Sequence, residues 1–259
     1  MEQHGYAIRS HALAMIRQGA SYAEVSNRLN VPHGTISWWR HEERRALGIT
    51  VERTHDCPRC CPRDFDRRAY SYVLGLYLGD GHIVSKPKQH HLSIFCCDSW
   101  PGLITAAEDA MRAVMPLPRV RRRQLTGCTE VKSFTRHWTC LFPQHGPGKK
   151  YRRRVALEAW QQDIVEAHPW EFIRGLIHSD GCRIVNWTTK VVGGERKRYE
   201  YPRYFFSNKS DDIRALFTEA LRMVGVRWTI LARGADPFNV SVARKESVAL
   251  MDAHVGAKY

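Results

Sequence analysis

The chain has 259 residues, enough for one large domain plus a small one, with ample material for a core. Forty lysines and arginines against 26 acidic residues give a formal charge of +14, spread along the whole length, which points to a polyanionic partner held over a wide folded surface. The first ten residues are polar and no apolar run reaches membrane-spanning length, so neither a cleavable leader nor a bilayer partner is expected; the eight cysteines read as thiols or metal ligands rather than a disulfide framework.

Residues 1–46 are expected to form a small all-α domain. Ala12, Leu13 and Ile16 mark an apolar helix, Gly19-Ala20 ends it, and Ser21-Tyr-Ala-Glu24 is a capping box that opens a second helix. Asn30-Val-Pro-His-Gly34 breaks the chain before a third helix from Thr35, with Ala23, Leu29, Val31, Ile36 and Trp39 as the small core. This order resembles the helix-turn-helix of resolvases and transposases. The resemblance implies that His33, Thr35, Ser37, Trp38 and Arg40 face outward at the start of a recognition helix, where a major groove is read. A packing or dimerisation role for such a unit is the alternative.

Residues 47–66 read as a linker carrying a candidate zinc knuckle, His55, Cys57, Cys60 and Cys61. A C-x2-C turn aims two thiolates at one tetrahedral Zn2+, and a structural site needs four ligands. His55 or Cys96-Cys97 would complete the set, whereas Cys128, Cys140 and Cys182 stand alone; free thiols are the other reading.

From there the chain reads as two similar halves, 67–168 and 169–259. Tyr72-Val-Leu-Gly-Leu-Tyr-Leu-Gly-Asp80-Gly81 and Phe172-Ile-Arg-Gly-Leu-Ile-His-Ser-Asp180-Gly181 are apolar helices that end in Asp-Gly. A helical glycine costs about 1 kcal/mol relative to alanine, so Gly75 and Gly175, at matched places, call for a packing reason. Small residues four apart, Gly75/Gly79 and Gly175/Ser179, let two backbones approach side by side. Parallel packing would then deliver Asp80 and Asp180 to the same end, where two helix C-termini already concentrate negative potential and a hard divalent cation is called for. After the first of these helices we expect strands over His82–Val84 and His91–Cys97, a helix over Pro101–Met115, strands over Arg119–Gln124 and Lys132–Phe142, and a closing helix over Val155–Ala167. The second half repeats the order: helix from Pro169, strands Ile184–Val192 and Tyr199–Ser207, helix Asp211–Val224, strands Arg227–Ala232 and Phe238–Val242, and a last helix.

Both signatures resemble the LAGLIDADG family of homing endonucleases in its single-chain, two-motif form. They match at Gly, Leu, the last Asp and the final Gly, and depart at the earlier acidic position, which holds Leu78 and His178. The resemblance implies an α+β fold of two pseudo-symmetric αββαββα repeats forming a saddle over double-stranded DNA, preceded here by the helical domain, in a monomer that acts as a pseudo-dimer. It also implies a Mg2+ site at Asp80 and Asp180, with Gly79 and Ser179 beside them, and basic groups near the scissile phosphate: Lys149, Lys150, Lys209 and Lys245 are the candidates. Alternating strand residues would present Arg119, Arg121, Arg123, Lys190, Arg196, Arg198 and Arg203 to the duplex. The family often places a glutamine near the position of Cys96 or Cys97, and none stands there.

These readings favour a site-specific, Mg2+-dependent DNA endonuclease. A non-cleaving, sequence-specific transcription regulator on the same fold is the alternative, since retained aspartates argue for the first and the added helical domain and missing glutamine for the second. An RNA-directed role is third, because helix-turn-helix units usually read duplex DNA. The expected setting is cytoplasmic, nucleoid-associated in a prokaryote.

Overall fold

The computed structural model describes residues 5–49, 57–233 and 236–259. It contains two compact units, Met1–Thr54 and His55–Tyr259, each with its own apolar core. No helix among the described residues is long and apolar enough to cross a membrane.

The first unit holds helices α1 (Tyr6–Arg17), α2 (Tyr22–Leu29) and α3 (His33–Ala46). The capping box forms in both directions: the Ser21 N–H donates to Glu24 Oε2 at 2.7 Å and the Glu24 N–H to Ser21 Oγ at 3.2 Å. Asn30 ends α2 in the left-handed region at φ 51°, a conformation its short polar side chain tolerates, and Pro32 then starts α3 two residues earlier than expected. Val31, Ile36 and Trp39 are buried and Leu29 packs against them, but Ala23 is exposed; Val25, two positions on, turns inward in its place with Ala12, Leu13 and Met15.

The second unit repeats one plan. Its first half comprises α4 (Arg67–Leu78), β1 (Gly81–Lys86), β2 (Gln89–Cys97), α5 (Pro101–Val114), β3 (Val120–Leu125), β4 (Cys128–Ser133), a short α6 (Trp138–Leu141), a 3-10 turn at Lys150–Arg152 and α7 (Ala159–Ala167). The second comprises α8 (Pro169–Asp180), β5 (Gly181–Val192), β6 (Glu195–Ser207), α9 (Asp211–Met223), β7 (Thr229–Arg233), β8 (Asp236–Val242) and α10 (Lys245–His254). The sheets have the same order, β1-β2-β4-β3 and β5-β6-β8-β7, with antiparallel neighbours throughout. One apolar cluster runs through both halves.

The expected strand over Lys132–Phe142 is corrected. The strand is Cys128–Ser133, placed by a two-residue hairpin at Thr126-Gly127 in which Gly127 takes φ +73°. The aromatic run behind it is helical instead, because Trp138, Leu141 and Phe142, spaced three and four apart, all turn into the core. The closing helix likewise starts at Ala159 rather than Val155: Gln161 Oε1 accepts from the Glu158 N–H at 3.0 Å and fixes the start there.

Helices α4 and α8 form the centre. Nine successive residues of α4, Tyr70–Leu78, are buried, as expected of a helix enclosed on every side. A Cβ built on Gly75 would lie 2.5 Å from the Phe172 carbonyl oxygen and 2.8 Å from Leu176 N, and one on Gly175 would lie 2.3 Å from the Tyr72 carbonyl oxygen. One on Gly79 would lie 2.1 Å from Ser179 Oγ. Position 75 therefore faces 175 and 79 faces 179: the two rods are parallel, in register, and closer than any side chain permits. Ser71 Oγ donates to the His168 carbonyl at 2.9 Å and Arg68 pairs with Glu171, which ties the entry end of the same seam.

Candidate active site and nucleic-acid interface

At the exit end, Asp180 is the last residue of α8, while Asp80 stands two residues beyond α4. The Asp180 carboxylate comes so close to the first helix that a Cβ on Gly79 would lie 3.2 Å from its Oδ2, which also accepts from Asn208 Nδ2 at 2.6 Å. Crowding by the surrounding protein and the charge of Asp180 push the Asp80 carboxyl up to about 6, although one side of Asp80 stays open to water. Burial raises Asp180 as well, against the hydrogen bond from Asn208.

Two lysines balance the pair. Lys150 Nζ donates to the carbonyl oxygens of Leu78 at 3.1 Å and Gly79 at 2.8 Å, and also to Tyr77 O, so it caps the negative end of α4. Burial pushes its ammonium down to about 8, opposed by Asp180 and Asp80. Lys258, which the motif reading missed, donates to the Ser179 carbonyl at 2.8 Å; burial lowers its pKa, with Asp80 the largest opposing influence. Gly79 and Ser179 thus have their carbonyls bound to ammonium groups. A cleft of about 530 Å3 opens here, lined by Leu78, Lys149, Lys150, Asp180, Asn208 and Lys209 among others. Lys149 and Lys209 stand 5.7 Å and 5.9 Å over the Tyr151 ring. Lys245 does not line this cleft: it is the first residue of α10 and is exposed there.

Strand register sorts the basic residues by face. In the first sheet Arg121 pairs with Lys132 and Arg123 with Glu130, on the face opposite Val120 and Val131, and Arg119 is exposed just before the strand. Arg123 meets Glu130 at 2.9 Å. Lys86 and Lys132 share this open face and were not singled out from the sequence. In the second sheet Lys190 and Arg203 lie on the open face, but Arg196 and Arg198 pair with Val191 and Thr189 and point the other way. The correction follows from alternation, since both stand an odd number of residues from Arg203 on β6; β6 meets β8 only from Tyr204 onward, so the residues before it extend as a two-stranded ribbon with both faces in solvent. Gly193 and Gly194, at φ +63° and +85°, close that ribbon with a type I′-like turn. Arg198 lies 5.0 Å over Trp187 and pairs with Glu200 at 2.6 Å.

On α3, His33, Ser37 and Trp38 are exposed; Thr35 and Arg40 are half-buried, and Arg40 is not free for a partner because it is paired with Glu43. His33 also packs edge-on to Tyr22. The expected knuckle is rearranged. His55 lies outside the described residues, Cys61 is outside the group that forms, and Cys96 is buried in the main core. Cys57 and Cys60 instead meet His137 and Cys140, with all four ligand atoms within 4.8 Å of one another. The second arm, His137-Trp-Thr-Cys140, has the same x2 spacing as the first, but a search for paired cysteines passes over it.

No protein-family model matches the chain, and the search of curated proteins found no match. Among solved structures it is similar to the homing endonuclease I-DmoI in complex with DNA and manganese, at 12% identity and TM-score 0.49 over 74% of this chain and 98% of that one. It is also similar to the N-terminal LAGLIDADG domain of DUF199/WhiA, at 10% identity and TM-score 0.44 over 77% and 86% of the two chains. Full-length DUF199/WhiA from Thermatoga maritima gives 10% and 0.43 over 77% and 59%. Each likeness is one of fold, and the repeated element order, matched sheet order and glycine seam of this chain stand without them.

Proposed function

We propose that the chain is a Mg2+-dependent, site-specific endonuclease of double-stranded DNA, in which one polypeptide supplies both halves of a pseudo-dimer. The observation that carries this reading is the convergence of Asp80 and Asp180 at the exit of a seam too tight for side chains, between the tethered ammonium groups of Lys150 and Lys258. A module that only binds phosphate has no use for two carboxylates whose ionisation burial and mutual repulsion already oppose. The donor set fits a hard divalent ion, being two crowded carboxylates that offer oxygen alone.

Asp80 and Asp180 would hold Mg2+, which when bound supplies a more acidic water and charge stabilisation at the leaving oxygen. Lys150 and Lys258, each tethered to a helix end, place ammonium groups where a scissile phosphate gains charge. Lys149 and Lys209 line the same cleft for flanking phosphates. Arg119, Arg121, Lys190, Arg203 and the ribbon bearing Arg196 and Arg198 would follow the duplex, a two-stranded ribbon being narrow enough for a major groove. The start of α3, with His33, Ser37 and Trp38 exposed and Thr35 half-buried, would add a second DNA contact.

The test is incubation with a randomised duplex library with and without Mg2+, reading defined ends by sequencing. Defined ends that require Mg2+ and vanish in Asp80→Asn/Asp180→Asn support the reading; ends produced equally by the double variant refute it. A second reading, a non-cleaving DNA-binding regulator, draws on the carbonyls of Gly79 and Ser179, which are engaged by lysines rather than free for an ion. Selection of one sequence without any cut ends would favour it.

A further inference from the structure

Residues 57–60 and 137–140 come from segments far apart in the chain, yet they bring three sulfurs and one imidazole to a single point. Cys60 Sγ lies 3.5 Å from Cys140 Sγ and 3.4 Å from His137 Nδ1, and Cys140 Sγ lies 3.8 Å from His137 Nδ1. A tetrahedral zinc with Zn–S of about 2.3 Å and Zn–N of about 2.0–2.1 Å has edges of about 3.8 Å between sulfurs and about 3.5 Å between sulfur and nitrogen. The observed edges are of that size. They are far from a Cys60–Cys140 disulfide, whose sulfurs would be about 2.0 Å apart. Cys57 is fully buried, and the backbone N–H groups of Arg59 and Cys60 point at its sulfur, the turn geometry that supports a ligating thiolate.

We propose that Cys57, Cys60, His137 and Cys140 form a structural Zn2+ site of the Cys3His class, which clamps the entry of the second unit onto α6. Binding releases three thiol protons to solvent, while the imidazole ligates through Nδ1 in its neutral form. Four ligands close the site, so no position is left for a water or substrate and its role is to hold the chain. The need for a clamp is local. A helix of one turn has no stability of its own, and α6 carries Trp138 and Leu141 into the core, with Phe142 behind them. Phe142 stacks on Tyr77 at 4.4 Å, and the Leu141 carbonyl accepts from Tyr70 Oη at 2.6 Å. Both partners belong to α4, so the site braces the helix that leads into Asp80.

The experiment uses the full chain, expressed without a polyhistidine tag. Elemental analysis is expected to find one zinc per chain, and Co2+ in its place is expected to show thiolate charge-transfer absorption with the strong visible bands of a tetrahedral centre. Cys140→Ala and His137→Ala should each lower metal content at least tenfold, whereas Cys61→Ser, next to a ligand but outside the set, should retain it. Should those variants fail to fold, the native protein still decides: a thiol-specific mercurial should release one equivalent of zinc to an indicator dye. Less than about 0.2 equivalents of metal, loss in Cys61→Ser equal to that in Cys140→Ala, or a Cys60–Cys140 disulfide in the unreduced protein would each overturn the proposal.

Discussion

Gly75→Ala should destabilise the second unit although alanine is the better helix former. The added Cβ would sit 2.5 Å from the Phe172 carbonyl oxygen and 2.8 Å from Leu176 N, both backbone atoms that no rotamer change can move. Ordinary contact begins at 3.4 Å, so the helices must part by about 0.9 Å. Overpacking of this kind costs about 3 kcal/mol at the upper end. Helix propensity returns about 1 kcal/mol, leaving a net loss of about 2 kcal/mol. Gly175→Ala should behave alike, and the double variant should cost less than the sum, since one separation relieves both. Urea denaturation followed by tryptophan fluorescence measures this, with the slope unchanged. Gly34→Ala in α3, where nothing lies within 4 Å of the added methyl, should be neutral or stabilising and is the control. A Gly75→Ala protein as stable as the native one at equal slope would refute the seam as described. If the seam positions the aspartates, cleavage should fall about 100-fold in the same variant.

Asp80→Asn with Asp180→Asn should abolish cleavage while duplex affinity in metal-free buffer is kept or improved, read by gel shift, because a repulsive pair beside phosphate has gone. Asp80→Asn alone should stabilise the metal-free protein at pH 8. A carboxyl raised from 3.8 to about 6 in the fold binds more protons folded than unfolded, so its cost develops as pH rises through that window. The bare value of about 3 kcal/mol falls to about 1 kcal/mol because the open side of Asp80 is screened by water. Thermal melts should therefore show the gain shrinking from pH 8 to pH 5; a gain that grows toward pH 5 would contradict the assignment. Lys258→Met should lower single-turnover cleavage by about 100-fold with little change in DNA binding, the signature of a group acting on developing charge. Removal of residues 1–54 should leave a folded second unit that binds duplex more weakly and with a shallower salt dependence.

Much of the second unit was legible in the sequence because the repeat writes its pattern twice. Matched glycines in matched apolar runs can be explained only by a partner helix, and Asp-Gly then marks where each helix stops. What failed depended on competition between elements. Trp138, Thr139, Leu141 and Phe142 have the composition of a strand, yet their spacing buries three of them on one side of a turn of helix. Arg196 and Arg198 share β6 with Arg203 at odd separations, so alternation turns them to the opposite face, and the length of the ribbon leaves that face in solvent. Lys258 carries no motif at all; it reaches the site because the chain after α10 returns to the end of α8. The cysteine cluster was half visible, its second arm hidden by a histidine where a cysteine was sought.

The proposal that Asp80 and Asp180 share a divalent ion at the seam's exit is tested most directly by anomalous diffraction from crystals grown with Mn2+. The account predicts a manganese peak within about 2.5 Å of carboxylate oxygens from both Asp80 and Asp180. A peak that touches one aspartate alone, or manganese bound only elsewhere on the molecule, would contradict it.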